Sequence, residues 1–142
     1  MPATIYFSGS ITGGRDDVAL YRRIVEALES DGHRVLAGAV AAEHIGAGGE
    51  ALTACDIFER DMRWIDECDV LVAEVSTPST GTGYEIAVAR YRRGIPVICL
   101  WRPGRTSRCT AMISGDEGIR LLEYSDDSVD ELLARLRRVL RE

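Results

Sequence analysis

Short apolar runs alternate with longer amphipathic stretches along the whole chain, and this alternation limits the fold more than any other feature of the sequence. Residues 3–8 form a β-like run that stops at Gly9. Residues 16–31 carry Val18, Tyr21, Ile24, Val25 and Leu28 as a helical stripe, ended by Gly32. A short strand is expected at 34–36, a long Ala- and Gly-rich loop at 37–50, and a helix at 54–67. A buried strand at 70–75, a helix at 83–93 ending at Gly94, and a second apolar strand at 96–101 follow. An edge strand at 119–124 and a helix at 128–142 complete the pattern, the helix opening with the Ser128 to Glu131 capping-box spacing. Five strands alternating with helices imply an α/β fold, a five-stranded doubly wound parallel sheet in a flavodoxin- or Rossmann-like three-layer sandwich.

Composition narrows the chemistry. The 142 residues suit one domain spanning 1–142, with no visible linker or repeat. All 17 basic residues are arginine and 23 residues are acidic, giving a net charge of −6 that argues against a nucleic-acid binder. With no lysine, Schiff-base chemistry and a P-loop lysine are both excluded. Cys55, Cys68, Cys99 and Cys109 lack C-x-x-C spacing and nearby histidines, so no metal site is expected. Cys99, inside the run from Val97 to Trp101, is expected to pack as a small hydrophobe. His33 is expected at the surface and His44 in a solvated loop. The first residues lack a basic and apolar leader, and no apolar run reaches the ~18 residues of a membrane span, so a cytoplasmic protein without a membrane partner is expected.

Ligands of doubly wound sheets bind at the carboxyl ends of the strands, near the reversal of strand order. That singles out the loops at 9–15 and 76–83. In the first, Ser10, Thr12, Arg15 and backbone N–H groups could hold a phosphate, or the segment could be an ordinary Gly-rich turn. In the second, Glu85 is expected in the first turn of a helix, either as part of a capping box with Thr82 or as an ionised nucleophile beside a cleft. Asp61 shares the apolar face of Ile57, Trp64, Ile65 and Cys68. Burial there raises a carboxyl pKa, which suits a proton donor, although a purely structural pairing fits as well. One carboxylate expected ionised and one raised make the acid/base pairing that cleaves a glycosidic bond, and Tyr6 could add a hydroxyl.

These motifs resemble a known family. Tyr6-Phe7-x-Gly9-Ser10-Ile11-x-Gly13-Gly14-Arg15, Asp61 with Trp64, Ala73-Glu74-Val75, Pro78-Ser79 and Gly81-x-Gly83-Tyr84-Glu85 resemble the 2′-deoxynucleoside 5′-phosphate N-hydrolases, of the nucleoside 2-deoxyribosyltransferase superfamily. Leu100-x-Arg102-Pro103 and Ala111-Met112-Ile113 extend the resemblance. It implies that Glu85 attacks C1′ of a nucleoside 5′-monophosphate, that Asp61 assists base departure and then activates water, and that Tyr6 positions the nucleophile or sugar. It also implies a sugar-phosphate site lined by Gly9, Ser10, Ile11, Thr12, Gly13, Gly14, Arg15, Ser79 and Gly81, with Ile24 facing the base. Thr110, Ala111 and Met112 match a segment that reaches a neighbouring subunit's phosphate, so a homodimer with shared sites is implied. No cofactor is implied. The chain departs from the pattern at Thr12, where relatives carry arginine, at Thr110, where they carry serine, and near Ala39, where a histidine is missing. The alternatives are a nucleoside 2-deoxyribosyltransferase, a ribonucleotide (CMP/AMP-type) or cytokinin-activating N-glycosidase, and a non-catalytic nucleotide sensor.

Overall fold

The computed structural model describes residues 2–10, 15–38, 52–104 and 108–142, without the side chains of Arg15 and Asp16. Its centre is an all-parallel sheet of β1 (Thr4–Gly9), β2 (Arg34–Ala37), β3 (Val70–Glu74), β4 (Val97–Trp101) and β5 (Ile119–Glu123), ordered β2-β1-β3-β4-β5. The helices are α1 (Arg15–Ser30), α2 (Ala54–Glu67), α3 (Thr80–Ala87), α4 (Ala111–Ser114) and α5 (Val129–Arg141). The expected fold class and all five expected strands are present, each strand within one residue of its expected bounds at either end. Helix α4 was not anticipated, because its four residues are too short to show a period. The expected loop at 37–50 lies almost entirely outside the described residues, as does His44.

Strand periodicity divides the interior into two layers. On one face of β1, Ile5 and Phe7 pack with Tyr21, Ile24, Val25 and Leu28 of α1 and Leu132 and Leu136 of α5. On the other, Tyr6 packs with Leu71, Ala73 and Cys99 of the sheet and with Ile65 and Ile86 from α2 and α3. Each fully buried aliphatic side chain contributes roughly 1.5–3 kcal/mol, so these layers supply the main driving force.

Two helix starts differ from expectation. Helix α3 begins at Thr80 because the Ser79 hydroxyl accepts from the Thr82 N–H at 3.2 Å, so Ser79 is the cap and Thr82 is not. The Ser128 side chain does not cap α5; it is engaged with Ser125, whose N–H it accepts at 2.9 Å, in the turn Asp126–Ser128. Past α3 the chain winds as a π-helix over Val88–Arg93 and stops at Gly94, whose φ of 66° suits glycine. Three arginines fix this stretch: Arg90 to Asp116 at 3.1 Å, Arg92 to Asp66 at 2.7 Å, and Arg93 to the Ile65 carbonyl.

The strand order reverses between β1 and β3, so the crevice forms at their carboxyl ends. A buried ion cluster secures that edge. Arg102, 3% exposed, reaches Asp17 of α1 at 2.8 Å, Asp126 at 2.9 Å and Glu74 at the end of β3 at 3.5 Å. Glu74 also accepts from the Ser76 N–H at 2.7 Å, the Ser76 hydroxyl at 2.8 Å and the Tyr124 hydroxyl. Thr77 donates to Asp17 at 3.2 Å, tying the loop after β3 to α1. Burial, and next the charge of Glu74, push the Tyr124 phenol far above its usual range, which keeps it a donor. Removing one partner of such a cluster strands the others in a low-dielectric interior. Arg102→Met should therefore destabilise the protein by about 3–5 kcal/mol, seen as a lower urea midpoint at an unchanged slope. An unchanged midpoint would show that the cluster does not hold this edge together.

Candidate active site

Tyr6 and Ser8 stand two residues apart on β1 and therefore face the same side, towards α3. Glu85, in the second turn of α3, descends between them. The Tyr6 hydroxyl donates to Glu85 Oε2, and the Ser8 hydroxyl donates to Oε1 at 2.9 Å. Thr82, three residues before Glu85 and so on the same helix face, places Oγ1 3.2 Å from Ser8 Oγ. Burial pushes the Glu85 carboxyl up to about 7. This corrects the expectation of an ionised first-turn carboxylate. With the helix starting at Thr80, Glu85 lies beyond the unpaired N–H groups that stabilise a charge there.

Asp61 comes from α2, whose start is fixed by a reciprocal Thr53–Asp56 capping box. Its side chain is 18% exposed and pairs with Arg60 at 3.0 Å. Burial raises the Asp61 pKa, and the Arg60 charge opposes that. Arg60 in turn lies 4.6 Å over the Trp64 ring, and Trp64 meets Tyr6 edge-on at 6.2 Å. The ring stack thus connects the surroundings of the two carboxyl groups.

Asp61 and Glu85 open on one cavity of about 600 Å³, within the range of small-molecule sites. Gly81 lines it too, and its apolar wall includes Ile57, Phe58 and Tyr84, the last two in edge-to-face contact at 6.3 Å. Ile57 is 42% exposed, so it belongs to the cavity mouth and not to the packed stripe expected of it. A smaller cavity of about 290 Å³ lies beside the start of α3, where Ser79 faces Arg108 and Thr110.

The other expected residues lie in several different places. Gly9 ends β1 where the ring of Tyr21 passes so close that a Cβ would stand 2.7 Å from Tyr21 Cζ. Ser10, buried, accepts from the Tyr21 hydroxyl through its carbonyl at 3.1 Å. Ile11, Thr12, Gly13 and Gly14 lie outside the described residues, as do Ala39 and the side chain of Arg15. Thr110 caps α4 by accepting from the Met112 N–H at 3.4 Å, while Ala111 and Met112 are exposed. Ile24 is a correction: it is fully enclosed in the α1 layer on the opposite face of the sheet from Glu85, because it continues the stripe of Tyr21 and Leu28. His33, half-buried, accepts from the Ala3 N–H at 3.0 Å. Among the described residues no group of three or more His, Cys, Asp or Glu is placed to hold a metal ion, and no helix is long and apolar enough to cross a membrane.

Ser8 and Thr82 were missed. The signal was available: Ser8 follows Tyr6 at strand spacing, and Thr82 precedes Glu85 at helix spacing.

Comparison with known proteins places the chain among nucleotide-acting relatives. The chain is 44% identical over 138 residues to the human 5-hydroxymethyl-dUMP N-hydrolase, covering 92% of this chain and 77% of that protein. It is 42% identical over 140 residues to the mouse protein of the same name, covering 95% and 80%. Among solved structures, a conserved protein from Enterococcus faecalis V583 superposes with a TM-score of 0.72 at 19% identity, covering 95% of this chain and 99% of that one. The sequence model described as nucleoside 2-deoxyribosyltransferase matches residues 5–121, and the chain belongs to that family.

Proposed function

We propose that the protein hydrolyses the N-glycosidic bond of 2′-deoxynucleoside 5′-monophosphates, releasing free base and deoxyribose 5-phosphate. The observation that carries this reading is the convergence of Asp61 and Glu85 on one cavity, with the Tyr6 hydroxyl on Glu85. The names of the human and mouse relatives, N-hydrolases of a deoxynucleotide, support the same reaction.

Glu85, once ionised, attacks C1′ while the bond to the base nitrogen breaks, and the base leaves with a proton from Asp61. The product is a glycosyl ester of Glu85. Asp61, now ionised, removes a proton from water as it attacks C1′, and the carboxylate of Glu85 departs. Tyr6 holds Oε2 throughout. The phosphate lies towards Ser79 and the loop after β1, and the base against Phe58 and Tyr84. The two stages need no metal, because the carboxylates supply both the charge and the proton.

We further assign a homodimer in which Thr110, Ala111 and Met112 complete the neighbour's site. The 83% exposure of Met112 and the 72% exposure of Tyr91 support an interface there. Cytoplasmic location fits four cysteines that are all free. The described elements fit one domain over 1–142.

Chromatography of reactions with deoxy- and ribonucleoside 5′-monophosphates tests the reaction. Base release should require the 5′-phosphate and fall by at least about 10³-fold in Glu85→Gln. Release of base by Glu85→Gln at the parent rate would sink this assignment. Formation of a new nucleotide when a second free base is added would instead favour transfer.

Because Glu85 must be ionised, kcat/KM should fall on acidification with a midpoint near 7. The same shift has a stability counterpart. Folding raises this carboxyl from 4.5 to about 7, so its stabilisation is full below about pH 4.5 and is lost as pH rises through 7. Glu85→Gln should accordingly be more stable than the parent at pH 8, by an amount on the order of 3 kcal/mol, and gain nothing below pH 4.5. Thermal melts across that range provide the check.

Mixing Glu85→Gln with Met112→Arg tests the shared site. Each variant alone should be inactive, and random exchange of subunits should restore about a quarter of the parent's sites. No recovery after verified exchange would remove Met112 from the neighbour's site.

A further inference from the structure

We propose that Ser8 and Thr82 form a hydroxyl relay that positions Glu85 and sets its charge state, with Thr82 donating to Ser8 and Ser8 donating to Oε1 of the carboxylate. The inference deepens the reading of Glu85 as nucleophile and concerns two residues outside the Tyr6, Asp61 and Glu85 trio.

The geometry leaves little freedom. Ser8 and Thr82 are both buried, at 3% and 4% exposure, and their hydroxyls face each other. Ser8 Oγ lies 2.9 Å from Glu85 Oε1 and 3.2 Å from Thr82 Oγ1, yet a serine hydroxyl carries one proton. When Glu85 is ionised, that proton goes to Oε1, the stronger acceptor, and Thr82 must donate to Ser8. When Glu85 carries a proton on Oε1, the order reverses: Glu85 donates to Ser8, and Ser8 donates to Thr82. The row therefore satisfies both states without moving a heavy atom, and Tyr6 donates to Oε2 in each.

The charges of the described residues nearby are engaged elsewhere. From α2, Asp61 faces the cavity but is paired with Arg60; from β3, Glu74 is engaged by Arg102, Ser76 and Tyr124. Among the described residues the hydrogen-bond partners of the Glu85 carboxyl are the Tyr6 and Ser8 hydroxyls, and burial alone accounts for the direction of its shift. With no cation on the carboxylate among the described residues, each neutral donor contributes to the stabilisation of its charge.

The test is a ¹³C NMR titration of the side-chain carboxyls of glutamate-labelled, ligand-free protein, with the Glu85 resonance assigned by its loss in Glu85→Gln. Ser8→Ala should raise the Glu85 midpoint by about one pH unit, the effect of losing one donor to a charge. Thr82→Val should raise it less, in the same direction, because it acts through Ser8. The acidic limb of kcat/KM should move with the titration in both variants. Ser8→Cys, nearly isosteric with a weak donor, stands in for Ser8→Ala should the latter not fold, and should also raise the midpoint. A midpoint that stays put in the Ser8 variant, or moves in the Ser8 variant and not in Thr82→Val, overturns the relay. Because the titration needs no turnover, failure of the hydrolase reading would appear separately, as base release that survives Glu85→Gln.

Discussion

The crevice depends on a single buried cation. Arg102 sits at the end of β4, where the loop after β3 and the start of α1 converge, and it is the group that lets Glu74 and Asp17 occupy the interior together. Two carboxyl groups in a low-dielectric space repel each other and lose hydration; a planar guanidinium with several donors offsets both costs at once. Lysine, a point charge, could not reach Asp17, Glu74 and Asp126 in one plane. The site is thus built on a rigid polar foundation, with apolar layers to either side.

Above that foundation the electrostatics change character. Among the described residues no cation reaches Glu85, and its carboxylate is held by hydroxyl donors. An easily neutralised carboxylate costs the folded state little until it ionises, and ionisation is what the chemistry requires. Activity and stability are therefore opposed at one residue. Such opposition is common where a polar group is buried for its reactivity and not for its packing.

The strands and the parallel sheet were legible because short apolar runs and glycine stops are local signals: residues 70–75 and 96–101 could be little else, whereas the strand order is set by the tertiary fold. Asp61 was legible too, from its place on an otherwise apolar stripe. The start of α3 was not, since Ser79 and Thr82 are both competent caps and only the fold of the preceding loop decides between them. That one choice moved Glu85 from the first turn to the second and altered its expected charge. Ile24 shows the complementary limit: a resemblance by position assigned it to the base, while its own helical spacing with Tyr21 and Leu28 already placed it in the core. The Arg102 cluster joins residues far apart in sequence, and nothing local announces such partners.

The π-helical extension of α3 has a mechanical meaning. Its three arginines stake the far end of the helix to the approach to β5 on one side and to α2 on the other. A helix pinned in two directions cannot roll about its axis, so Glu85 is delivered at a fixed angle whatever occupies the crevice. The same contacts hold α2, whose exposed aromatic side forms the opposite bank of the cavity, so the two helices that carry Glu85 and Asp61 are fastened to each other outside the crevice.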